Sequence, residues 1–479
     1  MNFTSLTFLV FFGIFFPLYW LVYAERRFQN LLVLAASYIF YGWWDWRFLG
    51  LIITSSLVDY ICGLGIDGAD SSRKRRMFLA ASIVTNLGIL GFFKYFNFFI
   101  DNAELLLTSF GFEVSSHTLY IVLPVGISFY TLQSMGYTID VYRKHVKPCR
   151  DPIAFFAFVG FFPQLVAGPI ERADNLLAQF YVQRRFDYSL ATDGMRQIGW
   201  GFFKKILIAD NLGVAVQPYF AAPEQYSGAE LAVATVFFGF QIYCDFSAYS
   251  DIAIGLGKLL GLRIRRNFNL PYFATGIQDF WSRWHMSLTT WFRDYLYIPL
   301  GGNRVSQTRT AANIFIVFLV SGLWHGAQWT FVAWGAAHGL MLLAEKSLRH
   351  NLGSRLLMAD ASTRLFASPL ACWLYTFILV MLAWVFFRAN SIGDAILILD
   401  RILSLETFTG LPLAIQQSFR GVAAIGFLFV VEYLQRTNEH PLQIERVPAP
   451  VQFVGYLGMV FVVVRYGALD ETPFIYFQF

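Results

Sequence analysis

The sequence predicts an all-α, polytopic membrane protein, and three observations carry that expectation. Of its 479 residues 57% are hydrophobic and only 14% are charged, against about 25% charged in an ordinary soluble chain. Uncharged stretches recur along the whole length. Lys and Arg gather in short clusters between those stretches instead of along one face, so the net charge of +5 reads as a topology signal and not as a nucleic-acid surface.

The stretches are residues 3–23, 28–44, 77–93, 114–139, 311–344 and 365–387, with shorter runs near 48, 153, 206, 231, 421 and 451. A bilayer is crossed by about 20 apolar residues in a helix, so about ten to twelve membrane helices are expected, some tilted, broken or re-entrant. The first stretch is long enough to span and lacks the basic segment of a signal peptide, so it is expected to remain as a helix. No repeat, low-complexity stretch or charged linker divides the chain, and a single membrane-embedded domain over 1–479 is expected.

Positive residues stay on the cytoplasmic side during insertion. Arg26-Arg27, Arg73 to Arg76 and the Arg143 to Arg150 cluster are therefore expected inside, and the acidic Asp101 to Thr118 loop outside. Arg263, Arg265 and Arg266, then Arg304 and Arg309, then Lys346, Arg349 and Arg355 continue the cytoplasmic set. This parity starts the chain outside and leaves the tail 470–479 outward-facing, although Arg401 and Arg420 fall in an expected outer loop. Cys62, Cys149, Cys244 and Cys372 are scattered, without the spacing of a zinc site or a disulfide framework.

Ionisable residues within apolar runs are costly and point to function. The uncharged run Ala311 to Ala344 is too long for one straight span and too short for two with a turn, so a hairpin or broken helix is expected near Gly322-Leu323-Trp324-His325-Gly326. Irregular backbone at membrane depth must line protein or a wet cavity, which places His325 at one. His338 reads as a packing residue. Neither histidine lies in a metal-ligand pattern, and no metal is expected.

Phe280, Trp284, Leu288, Trp291, Phe292 and Tyr295 fall on one helical stripe, which predicts an amphipathic interfacial helix containing His285. Gln241 to Asp251 carries Asp245, Asp251 and several hydroxyls in an apolar segment, which reads as helix–helix hydrogen bonding. The chain ends in aromatics, Phe474-Ile475-Tyr476-Phe477-Gln478-Phe479, where most termini are polar.

Trp284-His285-Met286-Ser287, Trp291 to Arg304 and Ser321-Gly322-Leu323-Trp324-His325-Gly326, together with Phe161 to Ile170 and Tyr243 to Asp251, resemble the membrane-bound O-acyltransferase superfamily. The nearest likeness is to its bacterial alginate O-acetyltransferase branch. The resemblance implies a helical fold with re-entrant and interfacial segments around a central funnel, in the bacterial inner membrane. It implies His325 as the essential histidine, His285 as the second, and acetyl-CoA as the cytoplasmic acyl donor. It also implies delivery to a periplasmic serine-dependent acyltransferase that modifies an exported or cell-envelope polysaccharide.

The aromatic tail resembles a terminal motif of the wider group, in which a tyrosine acts as an acyl relay; here that is Tyr476. A phenol of pKa about 10 costs about 4 kcal/mol to ionise at pH 7, which a general base at His325 would lower. Arg265, Arg266, Arg283, Arg293 and Lys204 are candidates for the CoA phosphates. Two alternatives stay open on the residues: a transporter with His325, Asp245 and Asp251 along its path, and a non-catalytic scaffold of an export complex.

Overall fold

A computed structural model describes residues 1–112, 119–353, 368–445, 447–468 and 474–475. Among them the structure is helical, with no strand. By its internal packing the chain falls into two compact units. The first comprises 1–198 and 252–265, and the second 199–251 and 266–475.

The first unit begins with α1 (Leu6–Leu21), α2 (Arg26–Gly42), α3 (Leu49–Asp67), α4 (Ser72–Leu90) and α5 (Phe96–Ser109). It continues with α6 (Ile127–Tyr142), α7 (Pro152–Val159) and most of α8 (Tyr188–Phe202). The 114–139 stretch is helical only from Ile127; residues 113–118 lie outside the described set. Polar side chains on α3, α4 and α6 satisfy one another in its interior. Buried Asp59 accepts hydrogen bonds from Ser82, from Asn86 Nδ2 at 2.8 Å and from Thr138 Oγ1 at 2.9 Å. An apolar surrounding offers no water to these groups, so side chains on neighbouring helices supply the partners.

In the second unit a π-helical turn, Phe203–Ala209, joins α8 to α9 (Asp210–Ala221). The 32-residue α10 (Gly228–Leu259) follows, contributing its part through Asp251 to this unit. Then come α11 (Ile277–Arg283), α12 (Met286–Phe292), α13 (Gln307–His325) and α14 (Trp329–Gly353). The unit continues with α15 (Pro369–Arg388), α16 (Ile392–Leu403), α17 (Leu405–Gln417), α18 (Phe419–Leu434) and α19 (Ala449–Tyr466).

The long run Ala311 to Ala344 is the hairpin α13–α14, but the break falls at residues 326–328 and Gly322 stays inside α13. A Cβ on Gly322 would stand 2.2 Å from the Phe331 carbonyl oxygen, and one on Gly335 would stand 2.3 Å from that of Phe318. These glycines let the two backbones touch, as small residues do between membrane helices.

The stripe from Phe280 to Tyr295 is not one interfacial helix. It breaks at Trp284–His285, and Phe280, Trp284, Leu288, Trp291 and Phe292 are buried. The aromatic ladder therefore builds the core of this unit.

Five described helical segments are long and apolar enough to cross a membrane: Trp46–Asp67, Ser72–Ser109, Gly228–Leu259, Pro369–Arg388 and Ala449–Tyr466. Gly410–Gln417 with Phe419–Leu434, bent by 83°, makes a sixth if counted as one broken span. Other apolar stretches form shorter helices; α1, for example, has 16 residues.

Candidate active site

The site grows from the second unit's hairpin and from the break before α12. His325 is the last residue of α13, and the break places the His285 ring centroid 6.4 Å from that of His325, at 62°. Both rings are buried, at 0% and 3% exposure. Edge-to-face contacts enclose His325: Trp324 at 4.9 Å, Trp334 at 5.0 Å and Phe387 at 5.4 Å. Phe246 of α10 meets the His285 ring edge-on at 4.7 Å. The carbonyl end of α13 lies at His325, where positive charge developing on a ring is favoured.

The backbone at His285 is what breaks the helix. Its φ of 45° and ψ of 51° are left-handed, a conformation that costs a residue bearing a side chain about 1–3 kcal/mol and persists where its surroundings enforce it. Asn267 does the enforcing. Its Oδ1 accepts the Ser287 N–H at 3.2 Å and the Ser287 hydroxyl at 3.0 Å, and its backbone oxygen accepts the Met286 N–H at 2.9 Å.

His285 Nδ1 lies 3.1 Å from the same Oδ1. Because that oxygen is an acceptor, Nδ1 carries the proton and the neutral ring keeps its lone pair on Nε2. The Asn267 amide in turn donates to Ser250 Oγ of α10 at 3.4 Å.

His338 is packing with one defined bond. Its Nδ1 accepts the Trp281 Nε1–H at 3.3 Å, and its ring stacks on Phe280. The bond ties α14 to α11, directly ahead of the His285 break.

A cavity of about 470 Å³ lies against both histidine-bearing segments, lined by Trp281, Met286, Leu288, Phe318 and Ser321, with Arg293 and Lys346 also on its wall. Met286 is next to His285, and Ser321 is one turn before His325. Ligand pockets of about 300–1,000 Å³ are typical, mostly apolar with a few polar groups.

The five expected phosphate-binding cations are not equivalent. Lys204 is 3% exposed and held by Asp251 at 2.7 Å and Ser247 Oγ at 2.6 Å, so it presents no open charge to a soluble phosphate. This corrects its expected place at the cytoplasmic mouth: the π-turn carries it into the interior. Arg265, in the first unit, pairs with Asp174 at 2.8 Å. Arg283 pairs with Asp279 at 2.7 Å and Arg293 with Asp294 at 2.8 Å, both at least partly open to solvent, and Arg266 is exposed.

Asp245 and Asp251 are likewise engaged, by Lys205 and Lys204 respectively, instead of lining an open path. Tyr476 lies outside the described residues. The two residues before it, Phe474 and Ile475, are buried against α10, and the Ile475 N–H donates to Asp245 Oδ2 at 2.7 Å.

Asn267, Phe246 and Trp334 are the site residues that sequence reasoning missed. Asn267 stands 18 positions from His285 within a loop-like Arg-Asn-Phe-Asn-Leu-Pro run. Nothing in that run sets it apart from Asn269 on the other side of Phe268.

Two buried imidazoles stand in an aromatic chamber of a helical protein, one with a defined acceptor nitrogen, an arrangement chemically suited to acid–base work. Residues 39–392 match the membrane-bound O-acyltransferase family. The chain is 43% identical to the probable alginate O-acetylase AlgI of Azotobacter vinelandii, over 82% of this chain and 76% of that one. It is 37% identical to the protein of the same name from Pseudomonas putida over the whole of both chains. It is 35% identical to a peptidoglycan O-acetyltransferase of Helicobacter pylori, over 79% of this chain and 74% of that one.

The chain belongs to the membrane-bound O-acyltransferase family, as the Trp284–Ser287 and Ser321–Gly326 motifs imply, and is a multi-pass membrane O-acyltransferase.

Proposed function

We propose that this chain takes an acetyl group from cytoplasmic acetyl-CoA and passes it across the bacterial inner membrane to a periplasmic serine-dependent acyltransferase. The final acceptor is an exported or cell-envelope polysaccharide such as alginate. The observation that carries this reading is the 6.4 Å approach of the His285 and His325 rings in a closed aromatic chamber. The names of the relatives, which act on alginate and peptidoglycan, support the acceptor class.

In this reading His325 acts as general base on the Tyr476 phenol as its oxygen attacks the thioester carbonyl. The C–S bond breaks, the thiolate takes up the proton, and an aryl acetate forms. The partner's serine oxygen then attacks that ester, phenolate leaves, and the serine proton returns to it. Phenolate is a good leaving group, so the relay keeps a high transfer potential. The neutral Nε2 of His285 supplies a second acceptor beside the reacting groups, and the aromatic shell excludes the water that would hydrolyse the thioester.

The cavity between α11–α12 and α13 is the candidate for the donor's slender amide-bearing arm, with Arg293, Arg283 and Arg266 as candidates for its phosphates; Arg265 is a further candidate on the first unit. The test is complementation in cells that acetylate their polymer. His325→Ala and Tyr476→Phe are expected to abolish polymer acetylation at normal protein levels. Full acetylation by Tyr476→Phe would remove the relay, and full acetylation by His325→Ala would remove the catalytic reading.

A further inference from the structure

The π-helical turn Phe203–Ala209 buries two consecutive lysines against α10. Such turns are rare and gather at functional sites. Lys204 is taken up by Asp251 and Ser247. Lys205 lies 2.7 Å from Asp245 Oδ1 and 2.8 Å from Asp210 Oδ1, and its ammonium also stands 4.4 Å from the centre of the Phe474 ring. Asp245 has a second oxygen, and that one holds the Ile475 N–H at 2.7 Å. Phe474 itself meets Tyr249 edge-on at 5.0 Å.

The helical register gives this arrangement its meaning. Asp245 and Tyr249, four residues apart, form one stripe of α10, and both hold the C-terminal segment. Phe246 and Ser250, also four apart, form the adjacent stripe, and they hold the His285 ring and the Asn267 amide. Side chains at such spacing share a helix face. One rigid helix thus carries the tail and the histidine support side by side.

Resting on the reading of Tyr476 as acyl acceptor, we infer that Asp245 and Lys205 form a latch for the C-terminal segment, fixing Ile475 on α10 so that Tyr476 is presented to the histidine site. They are positioning residues. Tyr476 follows the anchored residue directly in the chain. Asp245 is suited to the task because one carboxylate can accept from the ammonium and from the tail amide together.

The test uses the full chain in detergent with acetyl-CoA labelled in the acetyl group, comparing Asp245→Leu, Asp245→Asn and Lys205→Met with the parent. Two quantities are read: hydrogen exchange of the tail peptide, and the rate at which label enters it. The latch predicts that exchange in the tail accelerates about tenfold or more in Asp245→Leu. It also predicts that labelling slows about tenfold or more, with the smaller effect in Asp245→Asn, which keeps an acceptor oxygen.

A tail that exchanges at the parent rate in Asp245→Leu overturns the latch, as does faster exchange with undiminished labelling. An unlabelled tail in the parent protein would instead remove the Tyr476 reading, with the exchange still reporting on whether the segment is held. If Asp245→Leu does not fold, a stability cycle replaces it, crossing Asp245→Asn with deletion of residues 474–479. Equal destabilisation by Asp245→Asn with and without the tail would show a purely structural ion pair and overturn the latch.

Discussion

Asn267 Oδ1 sits 3.1 Å from His285 Nδ1 and 3.0 Å from the hydroxyl of Ser287, so one buried amide oxygen both assigns the imidazole tautomer and holds the backbone break that carries the ring. Replacing it by Ala removes both effects at once. Asn267→Ala is expected to lower kcat by about 10²-fold, in the range of a lost acid–base group. It should also cost about 1–3 kcal/mol of stability from the polar groups left buried. Steady-state kinetics with a thermal melt in detergent checks this; an unchanged kcat would detach Asn267 from the site.

His325 and His338 are both buried histidines on the α13–α14 hairpin, and the structure gives them different tasks. His325→Ala is expected to reduce acyl transfer by about 10²–10⁴-fold without loss of fold. His338→Gln, whose side-chain oxygen can still accept the Trp281 N–H, is expected to remain active. Activity surviving in His325→Ala and lost in a folded His338→Gln would reverse the assignment.

The α13–α14 contact depends on two glycines whose added Cβ atoms would meet backbone oxygens at 2.2 and 2.3 Å. Gly322→Ala and Gly335→Ala are each expected to cost about 1–3 kcal/mol, because backbone cannot rotate out of the way. Activity should fall with them, since His325 ends α13. Gly455→Ala in α19 has nothing within 4 Å and serves as the comparison, with no loss expected. Melting temperatures of the purified variants decide this.

Lys204 and Asp251 form a mostly buried pair at 2.7 Å. Lys204→Met alone leaves an uncompensated carboxylate and is expected to cost about 3–5 kcal/mol, while Lys204→Met with Asp251→Leu recovers most of that. If Lys204 served the donor's phosphates instead, the single variant would raise the KM for acetyl-CoA with little change in stability.

His325 was legible in the sequence because a histidine stands out in a long uncharged run and the membrane limits what such a residue can do. The hairpin followed from length alone. The break at His285 was not legible, because its aromatic stripe keeps helical spacing through the break and its cause, Asn267, acts from 18 positions away. Lys204 reads in the sequence as a candidate for the donor's phosphates, and its burial was not legible there. Carboxylates on α10, 40 or more positions on, together with Asp210 of α9 beside Lys205, make the burial of both lysines tolerable. Phe474 and Ile475 were recognisable as an unusual terminus, but their anchor on Asp245 is a tertiary fact.

In the proposed reaction acetyl passes through Tyr476 under the action of His325. Purified full-length protein incubated with acetyl-CoA labelled in its acetyl group, then digested and mapped, tests it most directly. An alkali-labile label is expected on the peptide containing Tyr476, absent from Tyr476→Phe and strongly reduced in His325→Ala. Label passing to a partner serine without ever appearing on that peptide in rapid-quench samples, at a rate unchanged in Tyr476→Phe, would contradict it.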